Sequence, residues 1–134
     1  MPKTVLIVED EAAHMKIATR ALERTLTDVL LVKATNGREA MDLIHGGLKP
    51  DLIVLDLKMP IMDGWEFLAE QKEVLKHARI PTIILSTSAE SRDVNLAYDR
   101  GANSYLQKPI RSADFRKAVE TLGIYWLQTA LLPA

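Results

Sequence analysis

The run Asp51-Leu-Ile-Val-Leu-Asp56 constrains this chain more than any other segment. Its apolar, largely β-branched centre lies between Pro50 on one side and Pro60 and Gly64 on the other, so it reads as a buried strand. Val5-Leu-Ile-Val8 and Thr82-Ile-Ile-Leu85 have a similar form and place strands at about 4–9 and 82–86, and further strands fit Ser104-Tyr-Leu-Gln107 and about 29–34. Helical patterns separate the strands at about 11–26, 38–45, 64–77 and 90–100, and a last helix starts near Ser112 as its N-cap. Regular alternation of this kind predicts βαβ units: a doubly wound α/β fold, with a five-stranded parallel sheet and five helices on its two faces.

The helices offer apolar stripes. Met15, Ala18, Leu22 and Leu26 form the first, and Ala40, Leu43 and Ile44 the second. Trp65, Leu68 and Leu75 are candidates in the third, and Phe115, Val119 and Leu122 in the last. Gly46-Gly47 and Gly101 are helix stops. Residues 1–134 are expected to form one domain, with 123–134 an extended C-terminal helix or tail, because no linker or repeat interrupts the pattern.

Composition excludes several classes of function. No apolar run reaches the ~20 residues of a membrane span. There is no cysteine, hence no thiolate metal site. Net charge is −1 from 17 basic and 18 acidic residues with no basic block, so no nucleic-acid partner is expected. The N-terminus lacks a signal-peptide pattern, and the expected location is cytoplasmic.

The strand ends carry the chemistry. In open parallel sheets ligands bind beyond the carboxyl ends of the strands. Here those ends hold Glu9-Asp10, Asp56, Ser86 and Lys108-Pro109. Asp56 is the candidate nucleophile for phosphorus, through an acyl phosphate. Glu9, Asp10 and Asp56, with the backbone carbonyl of Lys58, are candidate ligands for Mg²⁺, a hard ion that prefers oxygen. Without the cation the three carboxylates repel one another, and at least one pKa should rise. Lys108 supplies a positive charge for Asp56 and the incoming phosphate, and Ser86 a hydroxyl donor. A cis bond at Lys108-Pro109 is expected to help aim the amine. Singly, each feature is ordinary: an Asp after a strand caps turns, and an acidic pair before a helix serves its dipole. Their coincidence at four strand ends is not.

These residues resemble the receiver domain of two-component response regulators, from about Thr4 to Leu122. The likeness rests on the acidic pair Glu9-Asp10, Asp56, the loop Met59-Pro-Ile-Met-Asp-Gly64, Ser86 and Lys108-Pro109. It implies strand order 2-1-3-4-5, phosphorylation of Asp56 by a sensor histidine kinase, and slow autodephosphorylation. It also implies that Tyr105 moves with Ser86 as a switch. Lys58 and Ser88 occupy positions that influence hydrolysis of the acyl phosphate. Glu9 stands where Asp is more frequent, and Ser86 where Thr is.

Output is then by protein contact, or by relay to a phosphotransfer protein. The ending Gly123-Ile-Tyr-Trp-Leu-Gln is similar to stand-alone receivers that partner bacterial phytochrome kinases. Its apolar residues exceed one helical stripe and predict a homodimer contact that includes Tyr125 and Trp126. His14, His45 and His77 show no metal-ligand spacing and read as surface or packing residues. Two rivals remain: a phosphorylation-independent interaction module of this fold, and a hydrolase of the haloacid dehalogenase type. The second requires Asp-x-Asp, and Asp56-Leu57-Lys58 lacks its second Asp.

Overall fold

The structure is a computed structural model that describes residues 2–133. Its strands are β1 (Lys3–Val8), β2 (Val29–Ala34), β3 (Leu52–Leu55), β4 (Thr82–Ser86) and β5 (Ser104–Gln107). Its helices are α1 (Ala12–Thr25), α2 (Gly37–His45), α3 (Gly64–Val74), α4 (Ser91–Asp99) and α5 (Ser112–Ile124). The sheet is fully parallel in the order β2-β1-β3-β4-β5.

Successive strand residues face opposite sides of the sheet, and this divides the core in two. Leu6, Val8, Ile53, Leu55 and Ile84 pack with Met41, Ile44, Phe67, Leu68 and Ala97 under α2, α3 and α4. Val5, Ile7, Leu52, Val54, Ile83 and Leu85 pack with Met15, Ala18, Leu22, Phe115, Val119 and Leu122 under α1 and α5. The central strands β1, β3 and β4 are buried on both faces and read as near-continuous apolar runs, whereas the edge strands β2 and β5 are only partly buried.

Local chemistry sets the helix ends. Asn36 caps α2 by accepting from Glu39 N at 2.9 Å, and Asp63 and Glu66 form a reciprocal capping box at the start of α3. Gly101 follows α4 at φ +97, in the left-handed region that glycine enters freely. Ser112 is not a cap. The cap position is Arg111, whose carbonyl accepts from Phe115 N at 3.0 Å, and Ser112 is the first helical residue.

The phase of α3 also differs from the sequence reading. Phe67 is its principal inward residue, fully buried beside Leu68, while Trp65 and Leu75 are only partly buried. The start of the helix is fixed by the cap at Asp63 and by the close approach of Gly64 to β3. A Cβ on Gly64 would press on the Asp56 carbonyl and stand 2.7 Å from Leu57 Cα.

The tail extends the last helix only in part, as far as Thr129 and with a wider turn. After Ile124 the chain makes a π turn over Tyr125–Thr129, and residues 130–133 are non-helical. Trp126 and Leu127 pack on the α1/α5 side of the core, whereas Tyr125 and Leu131 stay exposed. Leu132 and Pro133 lie beside Lys49, Arg79 and Pro81, at the amino-terminal edge of the sheet.

Candidate functional site

Because the strands are parallel, their carboxyl ends gather at one edge. Glu9 follows β1 and is held by Glu9 N donating to Ala34 O at 3.0 Å; Asp56 follows β3, with its N donating to Val8 O at 3.0 Å. Ser86 ends β4, and Lys108 N ties β5 to it by donating to Ser86 O. The carboxylate oxygens of Glu9, Asp10 and Asp56 lie within 4.8 Å of one another. Glu9 and Asp56 are buried and Asp10 is exposed.

Lys108 is the cation of this cluster, and its side chain is 5% exposed. Its Nζ donates to Glu9 Oε1 at 2.6 Å and stands 3.7 Å from Asp56 Oδ2. Lys108 is thus ion-paired with Asp56, as the sequence predicts, but its hydrogen bond goes to Glu9, which is one methylene longer than Asp. The expected cis peptide is absent. No peptide bond among the described residues is cis, so Lys108-Pro109 is trans, and Glu9 rather than a cis turn aims the amine.

Burial is the main reason that the Asp56 carboxyl is pushed up, from 3.8 to about 7, with the Glu9 charge next. Lys108 opposes the shift, Asp10 adds to it, and the Leu57 backbone N–H opposes it weakly. The lone cation is thus outweighed by burial and two like charges. An all-oxygen, anionic donor set of this geometry fits a hard divalent cation better than any soft metal.

Ser86 is buried, and its Oγ accepts from Ser88 N at 3.2 Å. Ser88 Oγ donates to Asp93 Oδ2 on α4 at 2.7 Å, and the Tyr105 hydroxyl donates to Ser88 O at 2.9 Å. Ser86, Ser88, Tyr105 and α4 are thereby one hydrogen-bonded chain. Lys58 is exposed and, with Asp10, Met59 and Trp65, lines an open depression of ≈ 510 Å³. In the intervening loop Ile61 has φ +70, a costly conformation for a β-branched residue, and is 80% exposed.

Sequence reasoning missed His14. It is not a bystander: its Nδ1 lies 3.0 Å from Lys108 Nζ, and its ring stacks on Phe115 at 5.1 Å. A His one turn into the helix that follows Glu9-Asp10 was the available signal. His45 and His77 are exposed, and His45 Nε2 lies 3.7 Å from Glu70 Oε1.

The model of the response regulator receiver domain matches residues 5–120. The chain belongs to the response regulator receiver family. It is 35% identical to the response regulator Rcp1 of Synechocystis sp., over 99% of this chain and 95% of that one. The structure of Rcp1 in its Mn²⁺-bound form superposes with a TM-score of 0.92, covering 99% of this chain and all of that chain. The phosphorylated cyanobacterial phytochrome response regulator RcpA is 34% identical and superposes with a TM-score of 0.93, each chain fully covered. RPA3017, from red light signalling in R. palustris, is 31% identical with a TM-score of 0.84, over 100% of this chain and 99% of that one. This receiver is thus a component of two-component signalling, with a divalent-cation site and a kinase as phosphodonor partner.

Proposed function

We propose that Asp56 is the phosphoacceptor, that Mg²⁺ is the working cation, and that Glu9, Asp10, Asp56 and the Lys58 carbonyl hold it. The observation that carries this reading is a buried carboxylate among two further carboxylates, with one amine 3.7 Å away. When bound, the cation favours the ionised form of Asp56 and neutralises phosphoryl oxygens. An Asp56 oxygen forms the new bond to phosphorus as the bond to the donor breaks, and the donor leaves with its electron pair. Lys108 moves from Glu9 to a phosphoryl oxygen, a distance its flexible stem spans easily. Ser86 turns its hydroxyl to another oxygen. That releases Ser88 N, and through Ser88 and Tyr105 it alters the α4–β5–α5 surface.

Acetyl phosphate with Mg²⁺ should add one phosphoryl group, mapped by mass to Asp56. Equal labelling of Asp56→Asn would reject the assignment, and labelling without any divalent ion would reject the cation. The phosphodonor is read as a phytochrome-type histidine kinase, from the likeness to Rcp1, RcpA and RPA3017. Phosphotransfer no faster than from unrelated histidine kinases would refute that pairing.

A homodimer is the further reading for the tail, within a single domain acting in the cytoplasm. An apolar groove of ≈ 480 Å³ runs between β5 and α5, lined by Leu106, Leu122, Tyr125 and Trp126. Trp126 is partly used by its own core, so Tyr125 is the better anchor. Light scattering that finds a monomer at tens of micromolar, phosphorylated or not, would discard the dimer.

A further inference from the structure

Lys108 is held by a residue outside the acidic pair, Asp56 and Ser86. We propose that His14 is a positioning residue for phosphoryl transfer: its Nδ1 accepts a hydrogen bond from Lys108 and keeps the amine off Asp56 until a phosphoryl group arrives. This rests on the reading of Asp56 as the phosphoacceptor.

An ammonium has three donors and no acceptor. The 3.0 Å contact between Lys108 Nζ and His14 Nδ1 therefore needs a lone pair on Nδ1, with the ring proton on Nε2. Glu11 Oε2 also lies 3.2 Å from Nδ1, and one nitrogen cannot accept from Lys108 while donating to Glu11. Lys108 prevails on burial. Its side chain is 5% exposed and already fixed by Glu9, whereas that of Glu11 is 59% exposed and has water as a partner. The acceptor is also positioned from the other side, because the imidazole packs against Phe115, a buried residue of α5, with the ring planes tilted by 35°.

Two short bonds on the Glu9–His14 side account for the separation from Asp56. At 3.7 Å the amine is outside hydrogen-bond range of the carboxylate. Without the His14 acceptor, the freed N–H has Asp56 Oδ2 as its nearest alternative among the contacts of the amine. A direct bond there occupies one of the two carboxylate oxygens that can attack phosphorus and lowers the nucleophilicity of the group. His14 thus leaves the nucleophile open while storing the amine within reach of the product.

Two substitutions separate this role from packing. His14→Phe keeps a ring against Phe115 and removes the acceptor. His14→Asn loses the ring and places Oδ1 where Nδ1 stood. With acetyl phosphate and saturating Mg²⁺, His14→Phe should be phosphorylated about tenfold more slowly, and His14→Asn within about threefold of the unsubstituted chain. In the unsubstituted chain, nitrogen NMR should show the Nε2–H tautomer for His14, and Lys108→Ala should shift the Nδ1 resonance. The proposal is overturned if His14→Phe reacts at the unsubstituted rate, if His14→Asn is as slow as His14→Phe, or if the ring carries its proton on Nδ1. Failure of the unsubstituted chain to label would sink the Asp56 reading and this proposal together. Normal labelling with an unaffected His14→Phe would sink this proposal alone.

Discussion

The two edges of the sheet use polar residues in opposite ways. At the amino-terminal edge Asp51 Oδ2 accepts from Thr4 N at 2.8 Å, while Asp51 N donates to Thr4 O at 2.8 Å. Asn103 repeats the device on Thr82, with both bonds at 2.9 Å. Each side chain there completes a strand end that would otherwise leave backbone groups unpaired. At the carboxyl-terminal edge the carboxylates face one another, and the single buried amine goes to Glu9 before Asp56. Polar groups at the first edge stabilise the fold; at the second they are left under tension, which a cation and a phosphoryl group relieve.

The largest expected effect tests that tension directly. Asp56 has a folded pKa of about 7 against an ordinary value of 3.8, so the folded state holds its proton more tightly. Its contribution is fully present below pH 4 and is lost as pH rises through 7. Asp56→Asn should therefore stabilise the cation-free protein above pH 7, by on the order of 2 kcal/mol, and flatten the pH dependence between 4 and 7. Denaturant titrations at several pH values would show it. A destabilised Asn variant at pH 8 would mean that Asp56 is already well paired.

A smaller effect divides the acidic pair. Asp10 is exposed and makes no bond to Lys108, whereas Glu9 is committed to the amine. Asp10→Asn should lower Mg²⁺ affinity by about tenfold or more, and Glu9→Gln by less. Calorimetric titration would decide, and a greater loss in the Glu9 variant would reverse the roles.

The smallest expected change lies at the quiet edge. Asp51→Ala should cost about 1 kcal/mol by leaving Thr4 N without its acceptor, and leave Mg²⁺ affinity unchanged. A gain in stability there would erase the contrast between the edges.

What the sequence by itself determined follows from periodicity. β2, β4 and β5 lie where the sequence predicts, and the other elements shift by three residues or fewer at their predicted ends. Asp10, Asp56, Ser86 and Lys108 were legible because a parallel sheet sends every strand's carboxyl end to one edge. Tertiary structure alone decided who pairs with whom at that edge. Spacing cannot say that Glu9 outreaches Asp56 for Lys108, because that depends on how deeply β1 and β3 bury their last residues. His14 could not be assigned from its neighbours, because its partners, Lys108 and Phe115, lie far along the chain. Phe67 is buried more deeply than Trp65 although α3 begins where the sequence predicts, because the contacts of the helix with the sheet, which spacing does not contain, decide between them. Which tail residues are buried was likewise a tertiary matter: Trp126 and Leu127 pack on the core cluster of α1 and α5, which a one-dimensional pattern does not contain.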